Sequence, residues 1–324
     1  MALTAQRLIN PLVWSAIAAI ILYGILVIAN GLPDVLAAAK SFGMAAWLVV
    51  IALELFNLTI RFIRWRYYLR QLGHSVPWKL SFAYYIGGFA FTLTPGRVGE
   101  AVRSFYLKRH QVTYGQSISV LFVERLTDVF TMIILALSGA YAFENTRLPF
   151  FIVTATMLLL LPLIHSTALR HLLERISIKS SSAWLKKAVQ HIIELLKNSA
   201  QLLRSGSLYA GIALGIAAFG AEGLAFYFIL QQLGSDLSMV IAVGIYAVSL
   251  LAGAATFMPG GLGSIEAVMS LLLVLTGTQP AIIVAAVLIF RFSTLWFAVI
   301  LGIVMTSTLE MSGQGIGQSL PGKK

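Results

Sequence analysis

Residues 80–109 read LSFAYYIGGFAFTLTPGRVGEAVRSFYLKR, an apolar run (80–94) that stops at Pro95-Gly96 and continues as a charged helical run (97–109). Proline removes a backbone donor and glycine permits a sharp turn, so the pair ends a helix where it stands. The same device returns in the second half of the chain. There a run at 238–257 stops at Pro259-Gly260-Gly261 and resumes at 263–276. Thr92-x-x-Pro95-Gly96-x-Val98-Gly99-Glu100-Ala101 is matched by Thr256-x-x-Pro259-Gly260-x-Leu262-Gly263-x-x-Glu266-Ala267. Glu100 precedes Arg125 by 25 residues, Glu266 precedes Arg291 by 25, and Gln71-Leu72-Gly73 is echoed by Gln232-Leu233-Gly234. Matches that recur in one order mark an internal repeat.

Composition sets the solvent. Of 324 residues, 59% are hydrophobic and 11% charged, with a mean hydropathy of +0.88; a soluble domain carries about 25% charge. A bilayer accounts for such a chain, and inside it the backbone must satisfy its own hydrogen bonds as helices or a closed barrel. The apolar runs are long and lack period-2 alternation, which predicts helices. The net charge of +11 sits mainly between apolar runs, a pattern of membrane topology rather than of nucleic-acid binding. With 0 cysteines, disulfides, thiolate metal sites and Cys nucleophiles are excluded. The histidines fall at run ends or in polar sequence, so neither a metal site nor a cofactor is expected.

Outward from the Pro-Gly segments, full spans are predicted at 12–29, 44–60, 115–142, 148–164, 207–231 and 280–305. The run at 12–29 reads as a retained helix rather than a signal peptide. Treating the Pro-Gly segments as re-entrant hairpins with both termini inside puts 17 of the 23 Lys and Arg on the cytoplasmic side. These include Arg61, Arg64, Arg66 and Arg70, Lys108 and Arg109, and Lys323 and Lys324; Lys40 and Arg147 lie outside. The expectation is one all-α polytopic membrane domain over 1–324, of about eight hydrophobic segments. A first repeat (44–142) and an inverted second repeat (207–305) are joined by an amphipathic cytoplasmic linker (168–204). On that linker Trp184, Leu185, Ala188, Val189, Ile192 and Leu196 share a face suited to the leaflet surface. Gly211-x-x-x-Gly215 reads as helix packing within the chain, with a dimer face as the alternative.

Arg97, Glu100, Arg103, Glu124, Arg125, Asp128, Glu266 and Arg291 fall in or beside the repeat units, and Glu54 and Glu222 are further acids within spans. Each charge at the bilayer centre costs roughly 2.5–3.5 kcal/mol, so these side chains must face the bundle and find partners. One reading pairs them structurally, for instance Glu100 with Arg125 and Glu266 with Arg291. The other has the arginines at the hairpin tips (Pro95, Gly96, Gly99; Pro259, Gly260, Gly261, Gly263) receive a phosphate, aided by helix N-termini. A third uses the acids for proton or ion coupling.

Pro95-Gly-Arg-Val-Gly-Glu100, Glu124-Arg125-x-x-Asp128, Pro259-Gly-Gly-Leu-Gly-x-x-Glu266, Arg291-Phe and Arg61-x-x-Arg64-Trp65 together resemble the lysylphosphatidylglycerol synthase transmembrane-region family, also called the flippase-like domain family. The resemblance covers about 10–306. It implies a lipid-handling membrane domain, a flippase in members that also aminoacylate a phospholipid. Those members carry a large soluble C-terminal domain, whereas here the chain runs only to Lys324 beyond the last span, as in a stand-alone member. The expected function is translocation of an anionic phospholipid or polyprenyl-phosphate-type lipid across the cytoplasmic (inner) membrane of a prokaryote, without enzyme activity. Alternatives are a scaffold for lipid-modifying enzymes, or a membrane enzyme using a pair such as Glu124 and Asp128 on a lipid-linked substrate.

Overall fold

The computed structural model describes residues 40–140, 162–179 and 182–314 and single positions among 33–37 and 151–159, with backbone only at 95–98 and 138–140. The predicted run 12–29, most of 148–164, Arg7, Arg147, Lys323 and Lys324 lie outside the described residues. Every regular element described is helical: α1 (Gly43–Gln71), α2 (Trp78–Gly87), α3 (Arg103–Leu107), α4 (Tyr114–Ala140), α5 (Thr167–Lys179), α6 (Ala183–Leu202), α7 (Ser205–Gln232), α8 (Met239–Ala255), α9 (Ser264–Leu275), α10 (Pro280–Arg291) and α11 (Phe297–Met311). Short 3-10 turns lie at Gly88–Phe91, Pro95–Val102, Lys108–His110 and Pro259–Gly261, and a π turn at Phe292–Trp296 joins α10 to α11.

α1, α7 and the α10–α11 unit are long and apolar enough to cross a membrane. α4, with 27 residues, spans about 40 Å at 1.5 Å per residue but carries Glu124, Arg125 and Asp128 along its length. The arms of the Pro-Gly units are shorter. α8 has 17 residues and α9 has 12, about 25 and 18 Å long, against a hydrocarbon core of about 30 Å.

The elements end where local chemistry stops them. Gln71-Leu72-Gly73 and Gln232-Leu233-Gly234 form the same cap: Gly73 N–H donates to Arg70 O and His74 N–H to Leu69 O, as Gly234 does to Gln231 O and Ser235 to Leu230 O. Gly73 and Gly234 both have φ 86°, a left-handed conformation that glycine adopts freely. In each unit the next helix starts five positions on, at Trp78 and at Met239. The repeated sequence is thus a repeated stop-and-restart.

α1 packs against α7, with Tyr68 beside Gly211, Arg64 beside Gly215, and Asn57 reaching Ala218 and Glu222. Position falls along one helix as it rises along the other, so the two run antiparallel. Gly211 and Gly215 leave room for the Tyr68 hydroxyl and the Thr131 hydroxyl, so this pair of glycines serves packing inside the chain. α4 packs on α8, and α11 packs on α2 and the turn after it. Gly302 brings α11 against the backbone of Phe89 and Ala90, and Thr306 donates to Gly87 O at 3.1 Å. The two Pro-Gly turns touch each other; Leu93, Leu262, Leu295 and Val299 form a buried apolar plug beside them.

Several sequence expectations are corrected. The charged run 97–109 is not one helix but a 3-10 turn, one short α-helix and a second 3-10 turn. The final helix extends past 305 to Met311 and contains the π turn. The second span does not stop at 60: α1 runs on to Gln71, and Arg61 and Arg64, read as cytoplasmic basic residues, are buried within it. Apolar side chains Leu58, Phe62, Trp65 and Leu69 surround these arginines on the same helix, so the helix gains more by staying buried than by ending. The segment 168–204 is two helices, α5 and α6, packed together. The apolar side chains of α6 divide between environments: Val189 is buried, while Trp184 is 77% exposed and Ile192 is exposed.

Candidate functional site

The first Pro-Gly unit positions a cluster of ionised side chains. The Thr94 hydroxyl accepts from Gly99 N–H at 2.7 Å and donates to Phe91 O at 2.9 Å. This closes the turn and turns Glu100 and Arg103 inward, where both are buried. α4 supplies Glu124, Arg125 and Asp128. Positions 124 and 128 are one helical turn apart and share a face, with Arg125 beside them.

Arg103 bridges Glu100 at 3.2 Å and Glu124 at 3.4 Å. Arg125 bridges Glu100 at 3.5 Å and Asp128 at 3.4 Å. Arg64 of α1 pairs with Asp128. Thr92 donates to Glu100 at 3.4 Å. The network is continuous: three carboxylates share three guanidiniums across α1, α4 and the first hairpin. Its interior is buried, and its most exposed side chains are Arg125 at 27% and Asp128 at 12%.

Aromatic rings frame this cluster. Arg103 stacks on Tyr85 at 4.2 Å and on Phe89 at 5.1 Å. Arg61 also lies over Phe89, at 5.4 Å, and over Phe219 of α7 at 5.2 Å. Cations over ring faces are held electrostatically, more strongly where water is excluded.

The second Pro-Gly unit is built differently. Gly260, Gly261 and Gly263 have φ of 59°, 67° and 83°, so the chain turns through left-handed positions that only glycine adopts readily. Glu266 lies in the first turn of α9, where its carboxylate complements the helix dipole. Arg291 binds Glu266 at 2.7 Å and donates to Gly260 O at 2.8 Å. Both side chains are buried. The helix N-terminus expected to receive an anion thus holds a carboxylate of the chain itself, locked by Arg291.

The sequence-derived set therefore divides. Glu100, Arg103, Glu124, Arg125 and Asp128 come together with Arg64. Glu266 and Arg291 form a separate pair at the second tip. Both 25-residue pairings, Glu100 with Arg125 and Glu266 with Arg291, are made. Glu54 and Glu222 are buried on α1 and α7, where Asn57 donates to Glu222 at 3.1 Å. The side chains of Pro95 and Arg97 lie outside the described residues. Sequence reading counted Arg61 and Arg64 in the family resemblance but placed them at a cytoplasmic span end rather than in the site, and it missed Tyr85 and Asn57. The signal for the two arginines was present: they sit three apart inside an apolar pattern that continues to Leu69. Tyr85 and Asn57 carry no such signal in one sequence.

Sequence comparisons place the chain among membrane proteins. A family model described as lysylphosphatidylglycerol synthase TM region matches residues 13–302. The chain is 22% identical over 282 residues to a UPF0104 membrane protein of Pyrococcus horikoshii, covering 79% of this chain and 84% of that one. It is 20% identical over 301 residues to a UPF0104 membrane protein of Methanothermobacter thermautotrophicus, covering 85% and 88%. A UPF0104 membrane protein of Methanocaldococcus jannaschii is 25% identical over 278 residues, covering 79% and 82%. A helical membrane protein whose buried charges gather at a Pro-Gly turn, matched from its first apolar run to its last helix, belongs to the lysylphosphatidylglycerol synthase transmembrane-region family.

Proposed function

We propose that this protein translocates an anionic lipid, a phospholipid or a polyprenyl-phosphate-type lipid, across the cytoplasmic membrane of a prokaryote. The observation that carries the reading is the buried network of Glu100, Arg103, Glu124, Arg125, Asp128 and Arg64, partly open at Arg125, beside the contact of the two Pro-Gly turns. Charges at membrane depth mark substrate paths. Shared, rearrangeable ion pairs suit a site that must exchange internal partners for a head group and then restore them. Arginine binds phosphate through a planar fork. The lipid tails stay in the bilayer while the head group passes the tips.

The architecture proposed is an inverted repeat (44–142 and 207–305) with re-entrant hairpins at 80–109 and 238–276 and both termini inside. Four observations support it. The Gln-Leu-Gly caps are alike, α1 and α7 pack antiparallel, and the hairpin arms are short of a full span. The cross-packing is also reciprocal: α4 of the first unit lies on α8 of the second, and α11 of the second lies on α2 of the first. Inverted repeats with broken helices meeting at depth are transporter architecture. The 168–204 linker is taken as cytoplasmic.

This reading assigns the charged residues to binding rather than catalysis, and no cofactor. The test is transport of fluorescent phosphatidylglycerol and polyprenyl phosphate in liposomes reconstituted with the full chain. Wild type transports at least one of them; Arg125→Gln and Glu100→Gln slow it at least tenfold. Absence of transport of every anionic lipid, or variants equal to wild type, overturns it. A scaffold for lipid-modifying enzymes is favoured instead if the charged residues prove dispensable while the exposed face of α5 and α6, with Ile178 and Trp184, is essential.

A further inference from the structure

Arg61 was not among the residues expected to bind substrate, yet it is the most unusual side chain of the interior. It is 6% exposed and makes no hydrogen bond or ion pair with the described residues. It lies over two ring faces, Phe89 and Phe219, with Tyr85 and the carboxylates Asp128, Glu100 and Glu222 near enough to act on its charge. The atoms left without a partner are Nε and Nη2, the two donors that lie side by side on one edge of the guanidinium. That edge is the fork that binds two oxygens of a phosphate at once.

The surroundings repeat the pattern. Tyr85 is fully buried and its hydroxyl has no partner. It packs on Phe89 at 5.3 Å, the ring that carries Arg61. Arg103 lies over both Tyr85 and Phe89 and has an unpartnered Nε. Arg64 Nε and Nη1 and Arg125 Nε are likewise buried without partners. Against these donors the unpartnered acceptors are fewer: Glu124 Oε1 in the network and Asn57 Oδ1 one turn before Arg61 on α1. Buried donors without acceptors are destabilising. The group that relieves them has many acceptors, few donors and negative charge, which describes a phosphate. Carboxylate-only ligands offer fewer acceptors, and a cation is repelled.

We infer that the Nε–Nη2 edge of Arg61, with the Tyr85 hydroxyl, is the inner phosphate-binding site of this protein, reached past Arg125. The inference rests on the translocation reading for the source of the phosphate, a lipid head group. Phe89 and Phe219 hold the guanidinium in place without consuming its donors, so the fork is preorganised for the ligand. Arg125 and Asp128 are the partly exposed members of the cluster, and Arg61 is a buried one.

A residue kept for a ligand is a liability to the empty protein, and that separates this role from a structural one. The experiment measures thermal unfolding of the full chain in detergent, titrated with dioleoyl phosphatidylglycerol, with phosphate-free dioleoylglycerol, and with inorganic phosphate. Wild type is expected to gain stability with phosphatidylglycerol and not with dioleoylglycerol, since a ligand stabilises the state that binds it. A greater gain with the lipid than with inorganic phosphate identifies a head group; equal gains identify free phosphate as the ligand of the same site. Arg61→Gln is expected to melt no lower than wild type without ligand and to bind phosphatidylglycerol about 10- to 100-fold more weakly. Arg61→Lys, which keeps the charge and loses the fork, falls between. Tyr85→Phe folds normally and weakens binding by less than Arg61→Gln. The inference is overturned if Arg61→Gln keeps the wild-type lipid titration, or if Arg61→Gln melts lower while Tyr85→Phe keeps that titration. Flipping in liposomes is scored in parallel. Wild type that binds but does not flip overturns the translocation reading alone; flipping by Arg61→Gln at wild-type lipid dependence overturns the Arg61 site alone.

Discussion

Two arginines, each 25 residues after a glutamate, have been given different work. Arg291 is closed in: its side chain is 3% exposed, bound to Glu266 and to the Gly260 carbonyl. Arg125 is 27% exposed and shares both its acids with other arginines. Breaking a buried pair by removing one partner leaves a charge in an apolar interior, which costs about 3–5 kcal/mol. Glu266→Gln is therefore expected to destabilise the protein by about that amount, read by chemical denaturation in mixed micelles. The Glu266→Met, Arg291→Met double variant should recover most of the loss, because no charge is left behind. Arg125→Gln should be milder, since Arg103 still holds Glu100 and Arg64 still holds Asp128. A Glu266→Gln variant as stable as wild type would show that the second tip is not held by this pair. Both pairings were readable from spacing. The sharing of Glu100 and Asp128 with Arg103 and Arg64 was not, because Arg64 reaches the site from another helix.

At the scale of elements, the breaks carry more information than the spans. Pro95 and Pro259 each open a 3-10 turn rather than end a helix, since the α-helices before them already stop at Gly87 and Ala255; the Gln-Leu-Gly repeats end theirs in the same cap. The segment after Pro95 differs from expectation: it is a 3-10 turn of 8 residues rather than an α-helix. The tighter turn fits the Thr94 hydroxyl onto Gly99 N–H and leaves Glu100 facing inward. α11 is held against the first hairpin by Gly302, where an added Cβ would overlap the backbone of Phe89 and Ala90. Backbone cannot give way as a flexible side chain does, so Gly302→Ala should destabilise by about 1–3 kcal/mol. It should also slow any transport that depends on the hairpin's seat. Unchanged melting and transport in Gly302→Ala would mean that the helix slides at little expense. The π turn at Phe292–Trp296 lies directly after Arg291, where an extra residue in the helix re-aims the side chains around it. No sequence signal announced it.

For the whole molecule, the proposed orientation can be tested because the natural chain has 0 cysteines. Lys40, Lys108 and Trp184 are exposed. With re-entrant hairpins and a cytoplasmic linker, Lys40→Cys should react with a membrane-impermeant maleimide in intact cells. Lys108→Cys and Trp184→Cys should react only after permeabilisation. Labelling of Lys108→Cys in intact cells, with Trp184→Cys protected, would mean that the first hairpin crosses fully and that the inverted arrangement is wrong.

Sequence alone determined the class of solvent, the all-helical membrane build, the family and the two broken helices. Each of these is a local or compositional property: an apolar run needs a bilayer, and proline after a helix needs a break wherever the chain goes. It also determined that buried charges would be paired, since an isolated charge at membrane depth is too costly. Which charges pair, and which stay without a partner, only the tertiary structure decided. Arg61 and Arg64 belong to a stretch that reads as a basic span end, yet α1 continues past them and sets them against α4, α7 and the first hairpin. The two Pro-Gly turns, at Pro95 and Pro259, stand far apart along the chain, and their direct contact is a fact of the folded protein. A side chain's partners depend on residues distant in sequence, and so the closed lock at Glu266–Arg291 and the open donors around Arg61 could be told apart only in the folded protein.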